Sequence, residues 1–421
     1  MINAKGIKEG KLHAIYPKLY GCFYEEKDMD ERFTKLMNMH TELFKEDSAC
    51  LFSTAGRSEL GGNHTDHNLG KVLACTISLD TVGAVNSTDD NIVTLISEGF
   101  PAVEVNLSNL EKVDSEENTT DSLIRGIARA FKDRGLTIGG FNANTTTNVL
   151  KGSGLSSSAA IEILCATIFN HLYNDDKLDP VELSIISQFA ENVYYGKPSG
   201  LMDQIACAKG GIVAIDFKDK SHPKVINKHI SFDKEGYALV IVDTKGDHAN
   251  LTSHYSSIPK EMNKVASYFG KNYLREISKE QFQEALPSLR STLHNDRALL
   301  RAFHFFNENE RVDQLVDSID NNEFDKYLKL INECGRSSFC YLQNLYAETT
   351  FQGLPLALAM SEEILAGDGA CRVHGGGFAG TIQAYVPMNK LKKYVCEMNL
   401  IFGDNSATVL SVRDLPTCCI A

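Results

Sequence analysis

The segment GSGLSSSAA, residues 152–160, constrains this chain more than any other. Two glycines and three consecutive serines lead directly into apolar residues that repeat at helical spacing from Ile161 to Leu172. The segment therefore predicts a flexible, hydroxyl-lined loop that ends at the N-terminus of a helix. The free N–H groups and partial positive charge of a helix N-terminus bind anions, phosphates above all. A serine N-cap after an ordinary loop is the alternative interpretation.

Composition and charge exclude several classes of protein. The 421 residues are enough for two domains with cores of their own. The formal net charge of -13 argues against a nucleic-acid partner, because a phosphate backbone attracts a basic face. No segment approaches about 18 uninterrupted apolar residues, and the first residues lack a signal-peptide core, so we expect no membrane partner. Eleven cysteines without zinc-type spacing indicate reduced thiols in a cytoplasmic protein.

Strand-like and helical segments follow one another without strict β-α-β alternation, which favours an α+β fold over a doubly wound sheet. Short segments rich in β-branched residues predict strands at 72–79, 91–97, 102–107, 141–147, 210–217, 237–244 and 380–387. Helical periodicity dominates residues 258–370. A further helix is predicted to start at Asp179, with Pro180 in its first turn and Glu182 completing a capping box.

Three parts are expected along the chain. Residues 1–48 are predicted to form an N-terminal helical extension, in which Asp28 and Asp30 are candidate helix caps. Residues 49–230 are predicted to form a first domain that contains the serine-rich loop, and residues 231–421 a second domain. Neither an internal repeat nor a low-complexity linker marks the boundary between the two domains.

A dense polar segment, GRSELGGNHTDH at residues 56–67, contains one Arg, one Glu, one Asp and two His between glycines. A core strand would not carry so many polar groups unpaired. Sites that recognise hydroxyl groups need fixed donors and acceptors, so the segment predicts that Asn63, His64 and Asp66 contact a polar small molecule. Two alternatives stay open: a structural turn, and a metal site of His64, Asp66 and His67.

Two acidic residues stand in the segment AENVYYGKPSGLMDQ, residues 190–204. Glu191 is predicted on a helix, and Asp203 follows a glycine-containing loop. Magnesium prefers hard oxygen ligands and often takes one or two carboxylates together with substrate phosphates. A carboxylate beside a reacting hydroxyl can orient that hydroxyl or accept its proton. A surface or capping role is the alternative for Asp203.

A second glycine-rich loop, CRVHGGGFAG at residues 371–380, places three successive glycines beside Arg372 and His374. Considered alone, this loop is best interpreted as a tight turn that leads into a strand.

Together, in this order, the four segments resemble the motifs of the kinase family that unites galactokinase, homoserine kinase, mevalonate kinase and phosphomevalonate kinase, the GHMP kinases. GSGLSSSAA is similar to the phosphate-loop motif of the family almost letter for letter. Within the family, GRSELGGNHTDH most resembles the galactokinase signature GRVNLIGEHTDY. The resemblance covers roughly residues 50–390, and four ordered motifs are a specific signal.

The resemblance implies a two-lobed α+β GHMP kinase fold with its active site in the cleft between the lobes. It implies ATP and Mg²⁺ as cofactors, with the metal held by Ser158 and Glu191. The ATP-binding residues that it implies are Gly152, Ser153, Gly154, Leu155, Ser156, Ser157 and Ser158.

The resemblance also implies roles at the reacting centre. Arg57 is expected beside the anomeric hydroxyl and the transferred phosphoryl group, where its planar fork of donors suits phosphoryl oxygens. Asp203 is expected to be the catalytic carboxylate. The implied reaction is ATP-dependent phosphorylation of the C1 hydroxyl of D-galactose, with the sugar and ATP as partners. We expect a monomer or weak homo-oligomer. The implied substrate-binding residues are Asn63, His64, Asp66, Gly200 and Tyr255.

The dense polar segment departs from the galactokinase pattern. Asn63 replaces a Glu whose carboxylate is expected to accept hydrogen bonds from the hydroxymethyl end of the sugar. Ser58 and Glu59 stand where the signature has Val and Asn, and His67 stands where it has Tyr. An amide donates as well as accepts and carries no charge, so galacturonic or glucuronic acid is an alternative substrate. A sensor that binds sugar and ATP without turnover is the second alternative.

Overall fold

Two β-sheets organise the part of the chain that the structure, a computed structural model, describes: residues 1–149, 154–246 and 251–421. The strands are β1 (Cys50–Gly61), β2 (Lys71–Ser87), β3 (Ile92–Ser97), β4 (Val103–Asn106), β5 (Phe141–Thr147), β6 (Ile212–Asp216), β7 (Lys224–Lys228), β8 (Tyr237–Asp243), β9 (Ala370–Val373), β10 (Thr381–Pro387), β11 (Ala407–Leu410) and β12 (Cys418–Cys419).

The α-helices surround both sheets. They are α1 (Ala4–Lys8), α2 (Tyr16–Tyr20), α3 (Glu26–Phe44), α4 (Thr120–Asp133), α5 (Ser157–Asn174), α6 (Pro180–Phe189), α7 (Met202–Lys209), α8 (Thr252–Tyr268), α9 (Lys279–Glu284), α10 (Leu286–Leu293), α11 (Asp296–Asp320), α12 (Phe324–Ser337), α13 (Gly353–Leu365) and α14 (Met388–Phe402). π-Helical turns follow α6 and α12, at Ala190–Tyr195 and Ser338–Leu342.

The first sheet has the strand order β12-β1-β2-β5-β3-β4, and β6 and β7 extend it from the first half of β2. Successive side chains of a strand point to opposite faces. Phe52 and Val85 accordingly pack under α4 and α5, whereas their neighbours Leu51 and Ala84 pack under the N-terminal helices. The first lobe is therefore a sheet with helices on both faces.

The N-terminal helices cover one face of this sheet. Phe33, Leu36 and Met37 on α3 are buried against it, as the helical pattern predicts. The cap prediction for Asp28 and Asp30 is wrong, because α3 begins one turn earlier, with Glu25 at its N-cap. Tyr16 and His13 instead bond to the Asp30 carboxylate, which ties α3 to the segment before it.

The second sheet has the order β11-β8-β10-β9, and all three of its pairings are antiparallel. Val240 and its alternate neighbours on β8 pack under α13 and α14. Leu239 and Ile241 face the other way, into a core shared with α12 and with Leu60 of the first sheet. This shared core joins the two lobes along one side.

The chain crosses between the lobes more than once. Strand β7 ends in the first sheet before residue 230, and β8 begins the second sheet after it. Strand β12 then returns to the first sheet, where Phe52 pairs with Cys419. We keep a domain boundary near residue 230 as a proposal, with the last residues assigned to the first lobe.

Most predicted elements are present, and the two-lobed α+β arrangement is confirmed. The capping box of α6 is complete: Asp179 accepts from the backbone of Glu182, whose side chain accepts from the Asp179 N–H. Strands β7, β9, β11 and β12 were not predicted, because short strands of two to five residues carry little pattern. In the part of the chain that the structure describes, no helix is both long and apolar enough to span a bilayer.

A buried carboxylate fastens the N-terminal helices to the first sheet, which leads to a stability prediction. Asp80 is fully buried and accepts hydrogen bonds from Ser53 (2.6 Å), Tyr20 (3.0 Å) and Arg32 (2.6 Å), with buried Arg413 at 3.8 Å. Asp80→Ala leaves these cations without their carboxylate. We expect the free energy of unfolding to fall by about 3–5 kcal/mol, measured by urea denaturation.

Asp89→Ala is the control for this measurement, because Asp89 is an exposed acid on the loop after β2. It should change the free energy of unfolding by no more than about 0.5 kcal/mol. Equal, small effects of both substitutions would contradict the anchoring role of Asp80.

Candidate active site

The candidate site converges on Arg57. The register between β1 and β2 shifts on both sides of Arg57–Glu59, and such irregularities re-aim side chains. The Arg57 N–H donates to the Leu155 carbonyl (3.0 Å). Its guanidinium donates to the Gly154 carbonyl and, from Nε, to Asp203 Oδ1 (2.8 Å). One arginine thus joins β1, the serine-rich loop and the first turn of α7, which contains Asp203.

The loop lies directly on β1 because residue 56 is glycine. A β-carbon at Gly56 would stand 2.7 Å from the Leu155 carbonyl oxygen, closer than real contacts allow. The loop then enters α5 through Ser156, whose φ of 61° lies in the left-handed region. This path brings Gly154 and Leu155 against Arg57 and Ser156 against Asp203, while Ser157 and Ser158 form the first turn of α5. Gly152 and Ser153 lie outside the described residues.

Asp203 is the carboxylate that faces Arg57. Its Oδ1 lies 2.7 Å from Arg57 Nη2, and its Oδ2 accepts from the Ser156 hydroxyl. Burial alone raises the pKa of Asp203, but the Arg57 charge and the bonds from Ser156 and Arg57 outweigh it, so the pKa lies below its ordinary 3.8. Asp203 is therefore ionised at neutral pH. Its side chain keeps 34% exposure, whereas that of Arg57 keeps 7%.

A pocket of about 240 Å³ opens beside the serine-rich loop. One wall is apolar and comes from the first sheet and the loop after β3, with Leu95, Pro101 and Val103. The opposite wall is the first turn of α5, with Ser157 and Ser158. An apolar slot that ends at helix N–H groups suits a ligand with a flat apolar part and an anionic part.

Glu191 lies at the polar end of this pocket and is almost fully buried. It accepts hydrogen bonds from Lys197 Nζ (2.7 Å), from Gln204 Nε2 (2.8 Å) and from the Ser199 hydroxyl. Gln204 Nε2 also lies 3.0 Å from Glu162 Oε2, so a single amide nitrogen holds two carboxylates together.

Glu162, Lys197 and Gln204 were not anticipated from the sequence. Burial raises the pKa of Glu162 well above its ordinary value, and the charge of Glu191 adds to this. Its Oε1 atom is buried without a hydrogen-bond partner among the described residues. A signal was present, because Glu162 follows Ser158 by four residues and so shares its helix face, as the lone acid in an apolar helix.

Two of the residues that depart from the galactokinase pattern contact each other. Asn63 Nδ2 lies 3.1 Å from Glu59 Oε1, and the Glu59 carboxylate is also bonded to Arg372 in the second glycine-rich loop. The galactokinase signature has Asn where this chain has Glu59, and Glu where this chain has Asn63. The carboxylate and the carboxamide have therefore exchanged places relative to the signature, and a hydrogen bond joins them in this chain.

Asn63 has its hydrogen-bonding capacity filled by protein groups. Its amide donates to Glu59 and to the Gly375 carbonyl (2.7 Å), and its Oδ1 accepts from Asn344 Nδ2 (2.9 Å) and Ser338 Oγ (3.4 Å). The side chain is fully buried. In this arrangement Asn63 organises the loops around the site, and its direct contact with a substrate stays a prediction.

His64, Asp66 and Gly200 lie close together. The His64 ring nitrogen Nε2 lies 3.0 Å from the Gly376 carbonyl, and burial together with the neighbouring His67 lowers the pKa of His64 to about 4. His64 is therefore neutral at neutral pH and donates from Nε2. A β-carbon at Gly200 would lie 2.5 Å from Asp66 Oδ2, so the chain passes tightly over this carboxylate.

Tyr255 on α8 covers the second glycine-rich loop. Its hydroxyl donates to the Gly377 carbonyl (3.0 Å), and its ring meets Phe378 edge-on at 5.4 Å. The same loop reaches back to the first lobe, where His374 Nε2 accepts from the Glu59 N–H (3.4 Å). Residues of both lobes therefore surround Arg57 and Asp203. Within the described residues, His64, Asp66 and His67 do not converge as a metal-ligand group.

Comparisons with known proteins find similar sequences and folds. The profile "GHMP kinases N terminal domain" matches residues 122–211, and the profile "Galactokinase galactose-binding signature" matches residues 38–87. The fold matches a Lactococcus lactis galactokinase structure solved with galactose, with a TM-score of 0.78 at 22% identity over 92% of this chain and 100% of that one. It matches a Methanococcus jannaschii mevalonate kinase structure with a TM-score of 0.60 at 16% identity, over 87% and 98% of the two chains.

Fold and site together define a GHMP kinase. Among curated relatives, the galactokinase of Clostridium tetani (strain Massachusetts / E88) is 32% identical over 86% of this chain and 91% of its own. The galactokinase of Clostridium beijerinckii is 30% identical over 83% of this chain and 88% of its own. The chain belongs to the galactokinase family.

The electrostatics of the site predict a change in the pKa of Asp203. In Arg57→Met the burial that raises this pKa remains, while the charge that lowers it is removed, so the pKa should rise above its wild-type value. The stabilisation from ionised Asp203 is present above its unfolded pKa and is lost as pH falls through the folded pKa. Carboxyl ¹³C NMR of aspartate-labelled protein measures the shift.

Arg129→Met serves as control, because Arg129 pairs with Asp133 and Glu111 on the surface. It should leave the Asp203 titration unchanged. An Asp203 pKa that stays constant or falls in Arg57→Met would show that Arg57 does not hold this carboxylate ionised.

Proposed function

We propose that this protein transfers the γ-phosphoryl group of ATP to the C1 hydroxyl of D-galactose. The observation that carries the proposal is the junction of Arg57, which binds both the serine-rich loop and the Asp203 carboxylate. Phosphoryl transfer asks mainly for positioning and charge stabilisation. A cation between an anion-binding loop and a carboxylate supplies both.

The pocket beside the loop is the proposed ATP site. Its apolar wall suits the adenine ring, and the first turn of α5 suits the phosphates, which meet backbone N–H groups and the hydroxyls of Ser157 and Ser158. Lys197 stands at the same end with a pKa that burial lowers but that Glu191 raises further, so it is cationic. Lys197 can neutralise charge on the phosphates while it keeps its hydrogen bond to Glu191.

The residues here fit a magnesium ion. Two buried carboxylates, Glu162 and Glu191, are drawn together, and one oxygen of Glu162 has no protein partner among the described residues. Ser158 precedes Glu162 by one helical turn. Ser158 and Glu191 would hold the ion, as the sequence predicts, and Glu162 would stand behind them. When bound with ATP, the ion neutralises charge on phosphate oxygens.

Asp203 is proposed to position the acceptor hydroxyl. Its depressed pKa keeps it ionised, and its exposed edge can accept a hydrogen bond from the C1 hydroxyl. The proton becomes more acidic as the oxygen bonds to phosphorus, and the nearby Arg57 charge favours that shift. His64, Asp66, Gly200 and Tyr255 are the proposed boundary of the sugar site.

The exchange of Glu59 and Asn63 supports galactose over a uronic acid. The alternative substrate rested on the loss of a carboxylate at position 63. A carboxylate is present four residues earlier, at Glu59, where it accepts a hydrogen bond from Asn63 and pairs with Arg372. The local charge is thus kept, so no new cationic partner for a uronate carboxylate is created by the replacement.

A substrate panel tests the proposal. Purified protein is assayed for ADP formation with ATP and, separately, galactose, galacturonate, glucuronate and arabinose. We expect turnover with galactose, with kcat/KM at least about 100-fold above that for either uronate, because a misfitted charged group must be desolvated. Turnover with a uronate and none with galactose would assign the enzyme to uronic acids.

Asp203→Asn is predicted to lower kcat by about 100-fold or more, since the amide cannot accept the proton as a carboxylate does. Binding of ATP and galactose, followed by calorimetry, should persist. The control is Asp219→Asn in a surface loop, for which kcat should stay within twofold of wild type, about 0.4 kcal/mol. Binding of both ligands by the wild type without turnover would identify a sensor instead.

The cellular setting is part of the proposal. All eleven cysteines, every one among the described residues, are free, which agrees with a reducing compartment such as the cytoplasm. A monomer or weak homo-oligomer stays a prediction, and light scattering of the purified protein measures it.

A further inference from the structure

Three metal-ligating side chains converge far from the kinase site. Cys50 on β1, His171 on α5 and Cys419 on β12 each offer a ligand atom, and these three atoms all lie within 4.8 Å of one another. All three residues are partly buried. Their elements are distant in the sequence, so only the tertiary fold brings them together.

Sheet register explains why the two thiols meet. Strands β1 and β12 pair antiparallel with Phe52 opposite Cys419, which places Cys50 two residues along β1 on the same face as Cys419. The two cysteines are thus diagonal neighbours. Diagonal positions are about 7–8 Å apart along the backbone, farther than directly opposed pairs. A disulfide needs the β-carbons about 4 Å apart, so the arrangement favours two separate sulfur ligands over an S–S bond.

His171 completes the cluster from the last turns of α5. Its ring meets Phe52 edge-on at 5.4 Å, which fixes it over the face that contains the thiols. Its Nδ1 lies 2.8 Å from Asp176 Oδ2. Donation from Nδ1 to a carboxylate leaves Nε2 with its lone pair, and metal-ligating histidines are commonly oriented in this way.

We propose that Cys50, His171 and Cys419 bind a thiophilic divalent cation of the Zn²⁺ class, with water as fourth ligand. Two sulfurs and one imidazole nitrogen are a donor set that Zn²⁺ favours. The site fastens β12 and the end of α5 to β1. His171 lies 14 residues after Ser157, a helical distance of about 20 Å, so the ion takes no part in phosphoryl transfer.

The first experiment uses the full-length protein, stripped with chelator and kept reduced. Zn²⁺ is titrated against a chromophoric chelator, and Co²⁺ replaces it for absorption spectroscopy. We expect one ion per chain, with a thiolate-to-cobalt charge-transfer band and the intense d–d bands of four-coordinate Co²⁺. Absence of the charge-transfer band would overturn the proposal. Mass spectrometry that detects only a disulfide-linked form of the protein would overturn it as well.

Variants separate this site from the other thiols. Cys419→Ser and Cys50→Ser should each weaken Zn²⁺ binding by at least about 100-fold, and Asp176→Asn by about 10–100-fold through the loss of His171 orientation. Cys418→Ser is the matched control, because Cys418 pairs with Ser53 on the opposite face of β12. It should keep wild-type affinity, and equal losses in Cys418→Ser and Cys419→Ser would refute the assignment.

Folding and activity provide the second readout. Zn²⁺ should raise the thermal midpoint of the wild type and of Cys418→Ser but not that of Cys419→Ser, because an ion that binds only the native state stabilises it. Kinase activity of Cys419→Ser at a temperature where it is folded should match wild type. A Zn²⁺-independent midpoint in the wild type would show that the three residues hold no structural ion.

Discussion

The ion pair between the buried Arg57 and the partly exposed Asp203 is the interaction on which the site depends. A guanidinium with 7% exposure needs a carboxylate partner, because an unpaired buried charge is strongly destabilising. Here the partner lies in the first turn of α7, and the remaining donors of Arg57 reach the loop before α5. The same contacts that satisfy the buried cation therefore align the anion-binding loop with the carboxylate.

Around that pair, the site is held by polar groups buried from both lobes. The Glu59 carboxylate is shared by Asn63 and Arg372, and its pKa is raised by burial although Arg372 opposes the change. Arg372 belongs to the second sheet, so this pair fastens one lobe to the other behind the reacting centre. The Asn63 amide and the Glu59 carboxylate are both held inside this network by protein partners.

Several features of the fold and the site could be predicted from the sequence, because they depend on residues that are close together in the chain. The capping box at Asp179, the strand at 141–147 and the serine-rich entry into α5 each depend on neighbours a few residues away. Asp28 and Asp30 failed as caps because α3 begins before them, with Glu25 at its N-cap and without a side-chain capping hydrogen bond. Glu162 and Gln204 were not predicted as site residues because their role depends on the position of Glu191, which lies on another element.

The sequence by itself determined the order of the motifs, the chemistry of their side chains and the family, since these are properties of residue type and spacing. Only the tertiary structure decided that protein groups fill the hydrogen-bonding capacity of the Asn63 side chain and that Glu59 pairs with Arg372. It also decided that Cys50, Cys419 and His171 lie together. The physical reason is that hydrogen-bond capacity and burial are set by groups hundreds of residues away in the chain. The spacing of residues in the sequence does not predict which of these groups the fold brings together.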